Sequence, residues 1–91
     1  MIPEGRFQCV CCDYYTVVER HSFEVCQVCY WEDDGTTMAG LEVESRANHM
    51  TLLAARKSFE AIGAIDQSAV SLVASADERA GLRRELRATY H

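Results

Sequence analysis

The chain has 91 residues, 48 % of them hydrophobic with a single proline, which fits one small folded domain and excludes two independent ones. Its formal charge of −5 is uneven: residues 1–50 hold nine acids and three bases, residues 51–91 five acids and six bases. That balance disfavours a phosphate-backbone binder, which needs a basic patch to release counterions. No run approaches the ~18 apolar residues of a membrane span, and Met1-Ile2-Pro3-Glu4-Gly5-Arg6 lacks the basic and apolar regions of an export signal, so a cytoplasmic protein without a membrane role is expected.

Residues 6–31 read as short β pieces around two cysteine turns. Arg6-Phe7-Gln8 enters the first, Tyr14-Tyr15-Thr16-Val17-Val18 leaves it, and Phe23-Glu24-Val25 enters the second. The polar Glu19-Arg20-His21-Ser22 is short enough to join the last two as an antiparallel hairpin. Residues 32–47, with Glu32-Asp33-Asp34-Gly35, Gly40, Glu42 and Glu44, show no sustained period and read as an acidic loop.

Over residues 48–63 the positions Leu52, Ala55, Phe59 and Ile62 recur at helical spacing, with Asn48 or Thr51 as start cap and Gly63 at the end. Residues 64–74 fit a short helix or an extended piece equally. Ser75 and Glu78 have the spacing of a capping box, and Leu82, Leu86 and Tyr90 follow at helical intervals, which predicts a C-terminal helix over 76–90. On that helix Arg79, Arg83, Arg84 and Arg87 would form a basic face.

A chain this short buries only roughly 60 % of its unfolded surface, so a covalent or metal staple is expected. Five cysteines are an odd number for a disulfide framework and, in a reducing compartment, point to metal. Cys9 and Cys12 form one C-x2-C and Cys26 and Cys29 a second, with thirteen residues between them. This is the spacing of a four-thiolate site, because each turn offers two sulfurs to one side of a tetrahedron at Zn–S distances of ~2.3 Å. Four thiolates select zinc or iron over harder metals, and zinc is the cytoplasmic expectation. With every position filled by protein there is no metal-bound water, so the metal is expected to stabilise rather than catalyse. Cys11, between two ligands, is expected to stay off the metal. His21 reads as a solvated turn residue, and His49 and His91 lack partners at ligand spacing.

The run Cys9-Val10-Cys11-Cys12-Asp13-Tyr14-Tyr15-Thr16, then Phe23 through Gly35 with Cys26-Gln27-Val28-Cys29-Tyr30-Trp31-Glu32-Asp33-Asp34-Gly35, then Asn48 through Leu52, Ala55-Arg56, Phe59 and Gly63-Ala64, resembles the CPCC family of small bacterial cysteine-rich proteins. The resemblance covers about residues 7–64. Two turn-forming residues differ: the family's Pro is Val10 here, and its Gly after the last Cys is Asp13. Asp still enters the left-handed region that Gly favours, so the turn is expected to survive. The resemblance implies zinc binding and a place among immunity or accessory proteins of secreted bacterial toxins, and it transfers no catalytic residue. Beyond residue 64 it says nothing, so the capping-box helix is expected to be particular to this chain.

The expectation is an α+β domain: a zinc-ribbon or rubredoxin-like knuckle hairpin followed by two to three packed helices. No nucleophile-and-base pair and no phosphate loop stand out, so the expected function is non-enzymatic protein interaction. Glu32, Asp33, Asp34, Glu42 and Glu44 are the candidate surface for a basic protein partner, and Trp31 is expected to cover the metal site. The alternatives are a thiol-redox or metal-handling protein using Cys11, and a nucleic-acid-binding zinc ribbon using the arginine face.

Overall fold

Aromatic and β-branched residues flank the first cysteine turn, and they pair across it. In the computed structural model, which describes residues 6–87, β1 (Phe7–Gln8) runs antiparallel to β2 (Tyr15–Val17), Phe7 opposite Val17 and Gln8 opposite Tyr15, with a bulge between. The hairpin expected between residues 14–18 and 23–25 does not form. Instead Val25 bridges Glu32 around the second turn, and Phe23 and Glu24 bond through their backbones to Asp33. Each cysteine turn is thus the tip of its own small loop. Glu24 substitutes for the missing ladder: its carboxylate accepts from the backbone N–H groups of Val18 and Glu19.

The predicted acidic loop contains one 3-10 turn, Met38–Gly40, and its end pairs as β3 (Glu44–Ser45) with β4 (Met50–Thr51), Glu44 opposite Thr51. The helix therefore begins later than the sequence pattern suggests, as α1 over Leu52–Ile62. Thr51, not Asn48, caps it, accepting from the Ala54 N–H, and Gly63 closes it in the left-handed region at φ 79°. Leu52, Ala55 and Phe59 face the core as expected, but Ile62 is exposed and its place on the inner face is taken by Arg56.

Residues 64–74, ambiguous in sequence, form a 3-10 helix over Gln67–Leu72, capped by Asp66. The Ser75/Glu78 capping box is present, yet α2 spans only Ala76–Arg79. The helix expected over 76–90 stops there: residues 82–87 turn back as an extended strap, with Arg84 bridging Tyr14 and the Tyr15 N–H donating to the Arg83 carbonyl. Tyr90 lies outside the described residues. The fold is α+β, two small antiparallel hairpins and a few short helices, and no described helix is long and apolar enough to cross a membrane.

Among the described residues, Gly63 is the glycine that combines a left-handed backbone with a close neighbour. A Cβ built there would sit 2.9 Å from Nη1 of Arg79, whose guanidinium lies over the Phe59 ring. Gly63→Ala should therefore cost about 1–2 kcal/mol, the left-handed penalty plus displacement of Arg79. A urea midpoint unchanged from the parent protein would contradict this.

Candidate metal centre

The two C-x-x-C turns repeat one set of hydrogen bonds. In the first, the Asp13 N–H donates to Cys9 O and the Cys9 N–H to Tyr14 O; in the second, the Tyr30 N–H donates to Cys26 O and the Cys26 N–H to Trp31 O. Both turns put the residue after the last cysteine in the left-handed region, Asp13 at φ 71° and Tyr30 at φ 77°. Asp13 thus adopts the conformation expected when it replaced a glycine. In the second turn peptide N–H groups point at sulfur: Val28 N lies 3.4 Å from Cys26 Sγ and Trp31 N 3.4 Å from Cys29 Sγ.

The sulfurs of Cys9, Cys12, Cys26 and Cys29 all lie within 4.8 Å of one another. Cys9 to Cys29 is 3.6 Å and Cys12 to Cys26 is 3.7 Å, whereas a tetrahedron with metal–sulfur bonds of ~2.3 Å has edges of about 3.8 Å. A disulfide needs ~2.05 Å, and all five cysteines are free thiols. The four therefore form a buried donor set that fits one tetrahedral metal ion, and a bound divalent ion would cross-link the two turns. Zinc and iron share this geometry.

The thiols are electrostatically unlike one another. Burial pushes Cys12 and Cys29 well up. Cys26 is held well below the ordinary thiol value because it accepts from Cys12, Cys29 and Cys9 and from the Thr16 hydroxyl, 3.0 Å away. Cys11 is buried but outside the group of four. Contact with Cys29 draws its thiol down, burial and the charges of Cys9 and Cys26 push it up, and it ends above its ordinary value.

The sequence reading missed the residues that hold the first turn. Asp13, 1 % exposed, takes a bidentate pair from Arg56 at 2.9 and 3.0 Å and a further ion pair from Arg87, whose backbone N–H also donates to it at 2.9 Å. Burial raises the Asp13 carboxyl, but these donors outweigh it and hold the group below its usual value of 3.8. Arg56 also donates to the carbonyls of Val10 and Cys11, Arg84 to that of Cys12 and Arg87 to that of Cys9. The expected basic face is therefore dispersed. Arg84 and Arg87 reach back to the first cysteine turn, Arg83 pairs with Glu85 and Arg79 covers Phe59.

Trp31 is 1 % exposed and core, as expected. Its Nε1 is the one buried side-chain nitrogen or oxygen among the described residues without a hydrogen-bond partner. That orphan costs about 1–3 kcal/mol, less than the roughly 4–6 kcal/mol gained by burying an indole of this size. Of the acidic candidates, Asp34 points inward, accepting from Thr36 and from the Ser45 hydroxyl at 2.6 Å. Burial raises its carboxyl, and Ser45 and Thr36 more than compensate and lower it. Asp33 accepts from the His21 N–H, and Asn48 ties the Glu32 backbone to Ser45. Glu42 and Glu44 are exposed and Glu32 half-buried.

A cleft of about 340 Å³ lies between Gln27, Leu72, Val73, Ala74, Glu78 and Leu82. It holds no cysteine, and its one carboxylate, Glu78, is engaged in the capping box.

These features define a small cysteine-rich α+β domain with four buried thiols grouped as one metal ion requires. The chain belongs to the Cysteine-rich CPCC family, whose description matches residues 7–80. The match extends past residue 64, so the 3-10 helix and α2 fall within it, contrary to the expectation that the capping-box helix is private to this chain. No curated protein and no solved structure matches.

Proposed function

We propose that this is a non-catalytic zinc-binding module in which Cys9, Cys12, Cys26 and Cys29 hold one structural Zn²⁺ and the acidic surface beside it receives a basic protein partner. The observation that carries the reading is the cluster of four buried sulfurs within 4.8 Å: it leaves no ligand position for water or substrate, so the metal's contribution is to the fold. Four thiolates around a divalent ion form a dianion, which deepens the negative potential of the neighbouring Glu32 and Asp33 and steers cations toward them. Glu42 and Glu44 extend that surface, and Asp34 adds field from its internal position. An immunity- or accessory-type role, binding a basic toxin-like partner, is consistent with this surface and with the family resemblance.

The test combines metal analysis with quantitative affinity capture. Wild-type protein should carry zinc and retain a basic partner in stoichiometric amount, and the triple variant Glu32→Gln, Glu42→Gln, Glu44→Gln should keep the zinc and lose the partner. Equal recovery of the partner by both proteins would remove the surface assignment, and metal-free wild-type protein would remove the site.

A further inference from the structure

The two cysteine turns are held from outside in different ways. The carbonyls of the second are taken by backbone: the Ile65 N–H donates to Cys29 O and the Ala74 N–H to Gln27 O. Those of the first are taken by arginine. Cys9 O accepts from Arg87 at 2.8 Å, Val10 O and Cys11 O from Arg56 at 2.7 and 3.2 Å, and Cys12 O from Arg84 at 2.8 Å. Arg56 comes from α1. Arg84 and Arg87 come from the strap, beyond the residues that match the family, and their side chains are 25 % and 34 % exposed.

We propose that the strap of residues 83–87 is a latch on the metal centre, with Arg84 and Arg87 acting beside Arg56 as positioning residues that keep the sulfurs of Cys9 and Cys12 directed at the metal and set the rate at which it leaves. Three observations support this. Every carbonyl of the turn, from Cys9 to Cys12, ends on a guanidinium, so the backbone that aims both sulfurs is held at each peptide. The charges are complementary: three guanidiniums face a dianionic tetrathiolate centre and the Asp13 carboxylate, and Arg84 is held further by Glu60 at 3.0 Å. The strap is also fastened to the turn elsewhere, because Gln8 Nε2 bonds both Asp13 O and Glu85 O, and the Tyr15 hydroxyl donates to Glu85. Water reaches Arg84 and Arg87 but not the sulfurs, so the first turn opens when the strap lifts, a movement that also parts the backbone bonds from Tyr15 N–H to Arg83 O and from Glu85 N–H to Asp13 O.

This inference rests on the metal-site reading, and the experiment separates the two. Wild type, Arg84→Met, Arg87→Met and Thr51→Ala are loaded with Co(II) under argon, and loss of the thiolate-to-cobalt absorption is followed after adding excess EDTA. Methionine keeps an apolar stem in place of the arginine side chain. Thr51→Ala removes the α1 cap at a cost of about 1 kcal/mol without touching either turn. Release should accelerate about 10- to 100-fold in each arginine variant, the range expected for groups that orient metal ligands, with altered visible bands before EDTA is added. Thr51→Ala should keep the wild-type spectrum and show a much smaller change in rate. Arginine variants no faster than Thr51→Ala once matched for Tm, with unaltered spectra, would reduce these residues to general stabilisers and overturn the latch. Failure of wild type to take up cobalt would overturn the metal site and the latch with it.

Discussion

Cys12→Ser should abolish stoichiometric metal uptake and, with it, the cooperative thermal unfolding transition. The apolar core explains why the effect should be this large. Among the described residues, five of its fifteen buried positions are cysteines and three more are alanines, leaving Val17, Val28, Trp31, Leu41, Leu52, Phe59 and Ile65 as the bulk. Such a core supplies little margin in a 91-residue chain. A structural zinc contributes on the order of 10–16 kcal/mol of apparent binding energy, comparable to the roughly 5–15 kcal/mol by which whole domains are stable. Serine at Cys12 also leaves a polar hydroxyl beside buried sulfur. Far-UV circular dichroism during thermal unfolding checks this: the variant should show a broad, metal-independent change, whereas a sharp transition within a few degrees of wild type would mean that the fold does not depend on the site.

Asp13→Asn should lower stability by about 3–5 kcal/mol, because it removes the buried carboxylate that Arg56, 6 % exposed, and Arg87 share. Asparagine tolerates positive φ, so the loss reports the ion pairs rather than the backbone. Asp13→Ala should fall lower by about another 1 kcal/mol, the left-handed penalty at φ 71°. The pH dependence has a definite sign. The Asp13 carboxyl lies below its usual value of 3.8 when folded, so its contribution is complete above that value and disappears as pH falls through the lower folded value. The stability gap between wild type and Asp13→Asn should therefore be constant from pH 7 to about 5 and close below about pH 4. Metal content followed at each pH in both proteins separates acid release of metal from the titration of Asp13. A gap that stayed constant to pH 2.5 would show that Asp13 is not held ionised by these arginines.

Local signals survived into the structure where a short stretch of chain determines the outcome. The paired C-x2-C spacing placed the four sulfurs, Thr51 and Gly63 bounded α1, and Ser75 with Glu78 marked the start of α2. The end of that last helix was not legible. Leu82 and Leu86 keep a helical interval, yet Leu86 is 71 % exposed, so the interval corresponds to no buried face. Gly81 weakens the helix just beyond α2, and an isolated turn of helix is marginal in water. Arg84 and Arg87 gain charge-assisted bonds to the first cysteine turn only when the chain is extended, and that tertiary gain overrides the propensity. The same distance in sequence hid the role of Asp13. Its partners lie 43 and 74 residues away, and nothing local distinguishes Arg56 from any other polar residue on an amphipathic helix. The pairing of β1 with β2, rather than across Glu19–Ser22, follows from the cysteine turn itself acting as the hairpin loop.

Four cysteines placed to hold one metal ion are what the fold depends on in this reading. Elemental analysis of protein purified without added metal, together with thiol titration before and after denaturation, tests it most directly. The expected result is about one zinc per chain, five thiols, the buried Cys11 included, that react only after denaturation or chelation, and loss of the folded state when a strong chelator removes the metal. Protein with no bound metal, five thiols that titrate freely and an unchanged unfolding transition would contradict it.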